Sequence, residues 1–562
     1  MATARAHTRP ILLILLLSLP TLFAGLGQAS LWETDEPFYV EASRQMLNSG
    51  DFLTPVFNGE PRFEKPILFY WMQVLFYWLL GVTEWSARLP AALSGVACAV
   101  VLYGVGSRLS SRTVGLMAAA GLLTMFRVAV FSRQALTDIP VLLCILLALY
   151  GLIRTLEGPE TERRYALIAW VSMGLGVLTK GPVGLLPLAV WIPFLLISGN
   201  RAGLRRLNLA TGIPVFVGVA APWYGYMVWR YGLAYLDVSV MSEVVARVGA
   251  TNFGGPTRGP LYYFSVWPAD VVPWTPFFLA SIALLALRWS SVDRSSRQLA
   301  LLAGTWFVVI QVIFAISLGK QPHYILPSYP AVALFVALLF EEAPRLAGVV
   351  PRLVLRISGV LLGVMAIGLA VLSFLFLTRA LGNSMTSPSM LFPITAATGA
   401  VLIPWLHWSG STRRAFAVTV CLTAVAYGTL GRFVVPNDLE RLKPIKPLSE
   451  VIALQYAPGD RVALLRNLSQ GSVISGLSLV YYTGQDVSWL HSTAEVMALF
   501  RQPGRAFCLM QDRDYFLMRN TYGQDLYVLG EGAMLLINLR HLFDANPLAN
   551  ERRMLVVSNH PG

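Results

Sequence analysis

Ionisable side chains stand beside apolar runs at several places where charge should be scarce. Asp35 and Glu36 close the stretch Trp32-Glu33-Thr34-Asp35-Glu36, and Glu64 and Lys65 lie in Phe63-Glu64-Lys65-Pro66. Asp138 opens an apolar run after Thr137, and Lys180 lies at a turn in Thr179-Lys180-Gly181-Pro182. Lys320 and His323 share Gly319-Lys320-Gln321-Pro322-His323-Tyr324, while Arg247 and Arg258 fall in a long stretch between two runs. Ionised groups at membrane depth are costly unless paired or wet, so they are candidates for function. Lysine and arginine can hold a phosphate at the headgroup level. Carboxylates can orient an acceptor, take a proton or stabilise a developing oxocarbenium ion. Both kinds of group are needed to use a sugar carried on a lipid phosphate.

Each residue also has a plainer reading. Asp35 and Glu36 fit a solvated loop, and Glu64 with Lys65 fits a surface ion pair worth about 0–1 kcal/mol. Asp138 fits a helix cap favoured by the helix dipole. Lys180 and Lys320 fit lysines that snorkel from helix ends to the interface. His323 is one of six histidines and has no ligand spacing to the others, so no metal site is expected. Trp71, Tyr77 and Trp78 fit interfacial anchors. There is no Walker loop, no dinucleotide-binding glycine fingerprint and no zinc motif, which leaves nucleotide-driven transport without support. No cofactor is called for, and dependence on a divalent metal stays open.

The elements that must position these groups are membrane spans. The chain has 562 residues, of which 56% are hydrophobic and 13% charged, and its mean hydropathy is +0.60. A soluble protein of this length needs more charge to cover its surface, whereas lipid solvates the outside of a polytopic one. The net charge of +13 does not point to nucleic acid, because Lys and Arg fall in short loops between apolar runs. Cys98, Cys144, Cys421 and Cys508 show no disulfide or metal spacing. Apolar runs near 10–28, 88–107, 113–131, 138–155, 165–180, 183–198, 208–229, 261–286, 299–317, 323–341, 353–378, 391–409 and 415–431 predict about thirteen helices. The first run also fits a cleaved signal peptide, but the loop pattern needs it as a span.

With the N-terminus inside, the inner loops collect Arg108 and Arg112; Arg154, Arg163 and Arg164; Arg201, Arg205 and Arg206; Arg288, Arg294 and Arg297; Arg345, Arg352 and Arg356; and Arg413 and Arg414. Counting 67–81 as a span would invert every later loop, so this aromatic stretch is expected to lie in the interface. The outer face then carries a first loop over 29–87, a second over 231–260 and everything beyond the spans. Residues 1–431 form the membrane domain. In 432–562, short apolar runs at 462–465, 477–482, 506–510, 526–529 and 534–537 read as strands of a small α/β domain.

The stretch Asp35-Glu36-Pro37-Phe38-Tyr39-Val40-Glu41-Ala42-Ser43-Arg44-Gln45-Met46, with Phe63-Glu64-Lys65-Pro66, resembles the signatures of the lipid A aminoarabinose transferases. These belong to the C-type membrane glycosyltransferase superfamily, which includes the protein O-mannosyltransferases. Leu178-Thr179-Lys180-Gly181, Pro260-Leu261-Tyr262-Tyr263, Pro273-Trp274 and Gly319-Lys320-Gln321-Pro322-His323-Tyr324 follow in the same order. The resemblance implies an undecaprenyl-phosphate-linked donor that enters from the membrane, a lipid or envelope-glycan acceptor, and inversion at the anomeric carbon. It implies a bacterial inner-membrane enzyme acting on the periplasmic face. Asp35 would be the central carboxylate, with Glu36, Glu64 and Asp138 as the other acids. Lys65 would touch the donor phosphate, Lys320 and Tyr324 would line the same cavity, and Arg258 would add positive charge; Tyr39, Lys180 and Arg247 are further candidates for binding the donor. Transfer to a protein acceptor and lipid translocation without chemistry are the alternative readings. Two positions depart from the family: Phe38 where arginine is usual, and Thr257 where histidine is usual.

Overall fold

The computed structural model describes residues 2–33, 35–246, 258–380, 387–466, 476–523, 526–535 and 551–561. Thr257 and Arg247 therefore lie outside the described residues. Among those described, eight helices are long and apolar enough to cross a membrane, or up to eleven if each of three bent pairs is one span. His7–Phe23 and Leu68–Leu80 are apolar but shorter. The most enclosed candidate is Pro322–Glu342, whose apolar window is 89% buried, and the least is Val349–Arg379, at 17%. Lipid replaces protein around the second, which presents Val349, Leu361, Val364 and Ile367 outward.

The count of thirteen differs from this tally for reasons visible in the backbone. Pro159–Ile197 passes as one candidate but reverses at Lys180. Gly181 has φ +60, and a β-carbon on Gly184 would lie 2.3 Å from the Val177 nitrogen and 2.9 Å from the Met173 oxygen. Only a chain folded back on itself brings 184 beside 173. A short 3-10 turn, Gly181–Leu185, leads into the return helix Leu186–Ile197. Three expected spans are bent: Arg112–Leu123 with Phe126–Ser132 at 67°, Arg201–Leu207 with Leu209–Ser242 at 45°, and Tyr262–Asp270 with Thr275–Ser291 at 111°. The sharpest bend brackets Pro273, which lacks the N–H a continuous helix would use there.

Leu68–Leu80 turns Phe69, Tyr70, Val74 and Tyr77 inward and exposes Leu75, Trp78 and Leu79. At 13 residues it spans about 20 Å, short of the roughly 30 Å of a hydrocarbon core. The second expected outer loop begins as helix instead. The chain kinks at Gly232 (φ 57) and stays helical to Ala246, with Leu233, Met241 and Val245 exposed. An amphipathic stretch of this kind is helical because its apolar side has lipid to face.

Past the last apolar run the helical path continues to Leu442, eleven residues beyond the expected end at 431. The remainder forms a five-stranded sheet in the order Val487–Leu490, Arg461–Leu465, Ala506–Gln511, Glu551–Ser558, Tyr527–Leu535. The first three strands are parallel and the last two pair antiparallel. The strand expected at 477–482 is instead the short helix Ser478–Thr483, ended by Gly484 in the left-handed region. The runs at 526–529 and 534–537 fall in one long strand as far as Leu535.

This sheet unit grips the stretch 29–87, expected as the first outer loop. Asn58 and Gly59, at φ 54 and φ 79, form the tight turn of a hairpin pairing Val56–Phe57 with Glu60–Pro61. The Asn58 amide donates to the Val487 oxygen at 3.0 Å and its oxygen accepts from the Val487 N–H at 2.6 Å. Arg44 donates to the Tyr481 oxygen at 2.9 Å, and the Tyr482 hydroxyl accepts from the Leu31 N–H at 2.8 Å. Glu33 accepts from both the N–H and the hydroxyl of Ser478.

Candidate active site

A cavity of about 650 Å³ opens where the hairpin strand, the reversal at Lys180 and the turn before Pro322–Glu342 meet. Its polar end carries Glu64, Lys65, Asp138, Lys180, His323 and Tyr324. Its remaining wall is largely apolar, with Val183, Leu186, Phe216, Val217, Ile313 and Phe314 among the lining residues. Local sequence explains the convergence. The Asn58-Gly59 turn returns the chain so that Arg62, Glu64 and Lys65 enter beneath it, and Pro66 precedes the helix Leu68–Leu80. Gly181 places Lys180 at the apex of a helical hairpin. Asp138 stands in the first turn of Asp138–Thr155, where an acid is favoured.

Lys180 donates to Asp138 at 2.7 Å, so two helix ends are tied by one buried ion pair. The Lys180 ammonium lies 5.9 Å from the Tyr324 ring centre. Lys65 donates to the Glu64 carbonyl at 3.2 Å. One carboxylate oxygen of Glu64 is buried with no hydrogen-bond partner and stands 3.9 Å from the Arg62 Nε. Arg62 itself is buried, donates to the Tyr70 hydroxyl at 3.0 Å and stacks on Phe38 at 4.0 Å. Phe38, one of the two departures, is thus the platform for an arginine that directly follows the strand Glu60–Pro61.

Other expected site residues lie elsewhere. Asp35 is exposed at the start of helix Glu36–Ser49, makes no capping bond and is not among the cavity lining. Glu36 is fully buried and saturated. It pairs with Arg88 through two bonds of 2.9 Å and accepts from the Trp32 and Ala135 N–H groups. Burial alone would raise its pKa, but Arg88 and those N–H groups outweigh it and hold the carboxyl below its usual range. Nothing remains on Glu36 for a substrate, so its place is structural. Tyr39 is buried against Phe69 and Tyr70, and burial pushes its hydroxyl well above the ordinary value.

Lys320 is also buried; it donates to the Arg258 carbonyl at 2.9 Å and to the Ser317 carbonyl, and burial lowers its pKa. Arg258 stacks on Tyr262 at 4.3 Å and, with Lys320, edges a separate, more open hollow of about 470 Å³. Of the expected cations, Lys65 and Lys180 share the main cavity with Tyr324; Arg258 and Lys320 do not line it. Sequence reasoning passed over Arg62 and weighed His323 without choosing it. Both sit within three residues of a residue it chose. Among the described residues, no group of three His, Cys, Asp or Glu side chains could hold a metal ion.

Over 479 residues the chain is 30% identical to an undecaprenyl phosphate-alpha-4-amino-4-deoxy-L-arabinose arabinosyl transferase of Pectobacterium atrosepticum, covering 81% of this chain and 82% of that one. The chain belongs to this transferase family. Residues 64–226 match the family described as dolichyl-phosphate-mannose-protein mannosyltransferase. A transferase of the same description from Sodalis glossinidius is 30% identical over 347 residues, 59% of this chain and 58% of that one. An uncharacterised Aquifex aeolicus protein is 32% identical over 332 residues, 58% of this chain and 63% of that one. The chain thus spans about three fifths of the length of these last two relatives. The fold matches that of ArnT from Cupriavidus metallidurans, solved bound to undecaprenyl phosphate, with a TM-score of 0.76, 21% identity and 98% coverage of both chains. The family therefore brings a polytopic helical fold with a small C-terminal sheet.

Proposed function

We propose that the chain is a glycosyltransferase that moves a sugar from an undecaprenyl-phosphate-linked donor to a lipid A-like or envelope-glycan acceptor at the periplasmic face of the inner membrane. The observation that carries this reading is the two-part lining of the main cavity. Lys65 and Lys180 at the polar end suit a phosphate, and the apolar wall suits an isoprenoid chain. The relatives' names support the donor, and support aminoarabinose as the sugar. In this reading the first loop and the 432–562 unit lie outside, and the exposed Asp35 faces the acceptor side. Asp138 keeps Lys180 in place, and Glu64, held near Arg62, adds a second acid at the same end of the cavity.

The test is mass spectrometry of lipid A and other envelope glycans from cells with and without the gene, paired with transfer by the purified chain. Transfer that is lost in Asp35→Asn and Lys65→Ala, with normal folding, is the expected result. Full activity in both variants would overturn the assignment.

A further inference from the structure

His323 lies at the polar end of the cavity, yet the ion pair there is complete without it. Its ring rests against Phe131 at 5.3 Å and meets Tyr324 edge-on at 5.1 Å, so two aromatic neighbours fix its plane. Among the described residues no protein group hydrogen-bonds either ring nitrogen. An imidazole offers one donor and one acceptor in either neutral tautomer, and here both are left for a molecule in the cavity.

What holds that ring is a second ion pair that lines no part of the cavity. Asp270, 2% exposed, accepts from Arg127 at 2.6 Å and from the Tyr329 hydroxyl at 2.5 Å. This is the one hydrogen bond Arg127 makes among the described residues, and its guanidinium stacks on Phe131 at 5.3 Å. Tyr329 begins the helix that directly follows the turn bearing His323. Asp270 thus fixes both supports of the imidazole: the helix Phe126–Ser132 that presents Phe131, and the turn Pro322–Ser328 that presents His323. The Tyr263 hydroxyl, donating to the Gln321 oxygen at 3.2 Å, ties the Asp270 helix to the same turn.

We infer that His323 is a donor-contacting residue that hydrogen-bonds the lipid phosphate, and that Asp270 is the positioning residue for it. The inference rests on the transferase reading above. A hydrogen bond to a charged oxygen is worth a large factor in affinity, but only if the ring is already in place.

The experiment uses the full chain in lipid nanodiscs and undecaprenyl phosphate as the probe. His323→Ala is expected to weaken binding about tenfold with an unchanged melting temperature, and Asp270→Asn about three- to tenfold with a lowered one, because Arg127 loses its counter-ion. The double variant is expected to bind no more than about twofold worse than His323→Ala, because Asp270 acts through the ring that is gone. If Asp270→Asn fails to fold, Tyr329→Phe removes one support and takes its place in the cycle. Unchanged binding in His323→Ala overturns the contact, and additive losses overturn the positioning role. Absence of binding by the unaltered chain would instead count against the donor reading itself.

Discussion

Arg88 and Glu36 form a closed unit in which all five guanidinium N–H donors are used. Two bonds of 2.9 Å go to Glu36, and three go to the carbonyls of Leu26, Ala29 and Ser30. The pair therefore joins the end of the first helical segment, the helix Glu36–Ser49 and the helix Glu84–Leu109 at one point. Asp35, one residue away, inherits its place from this knot.

Arg88→Ala leaves Glu36 buried without its counter-ion, and the carbonyls of Leu26 and Ala29 lose their donor while Ser30 keeps Lys443. A loss of about 3–5 kcal/mol is expected, seen as a lowered melting temperature in detergent. The depressed pKa of Glu36 sets the sign with acid. Its contribution is complete above the ordinary value of 4.5 and is lost as the pH falls through the lower folded value. Glu36→Gln should flatten that acid limb of the stability curve while leaving the neutral region less stable.

Lys180→Met removes the cation and strands Asp138, which is 7% exposed. Binding of undecaprenyl phosphate should weaken by about tenfold or more. Asp138→Asn instead frees the ammonium from its partner, so binding should change less than in Lys180→Met. Calorimetric titration of both variants checks the order, and a larger loss in Asp138→Asn would contradict the assignment of Lys180 to the phosphate.

Gly184→Ala cannot be accommodated without moving backbone, because the new methyl would stand 2.3 Å from the Val177 nitrogen. The reversal after Lys180 should loosen at a cost of about 1–3 kcal/mol. Gly199 is the control, since its added methyl meets nothing within 4 Å, although its φ of +74 carries a modest strain of its own. Thermal melts of the two variants separate crowding from backbone strain.

Lys65→Ala should abolish transfer by the purified chain, because its ammonium stands at the polar end of the cavity where the donor phosphate would sit. A collapse of the fold in Lys65→Ala would make Lys65 a structural residue.

Much of the fold was legible because lipid imposes one simple rule on the sequence. Backbone groups must be satisfied within each segment, so long apolar runs become helices. The rule is silent where a run bends. Pro273 lies inside the run expected as one span over 261–286, and only tertiary packing decides whether such a residue kinks a span or reverses it. The sheet unit was read from short apolar runs, and 477–482 misled because a buried run of six residues looks the same in a strand and in a short helix. At the site, Lys65, Asp138 and Lys180 stood out as charges beside apolar runs. Glu36 stood out for the same reason and turned out to be the partner of Arg88, which the sequence hides in the first turns of a long helix. His323 was discounted because a lone histidine has no spacing to read, and its meaning comes only from Phe131, nearly two hundred positions earlier.

The hairpin at Asn58-Gly59 has a mechanical consequence. Its outgoing strand runs within four residues into Glu64 and Lys65, and its turn is clasped by Val487 on an edge strand of the sheet unit. The polar end of the cavity and that sheet edge are therefore two ends of one lever only a few residues long. A fluorophore beside Val487 would then act as a gauge, reporting from the sheet unit whether the cavity end of the lever is loaded.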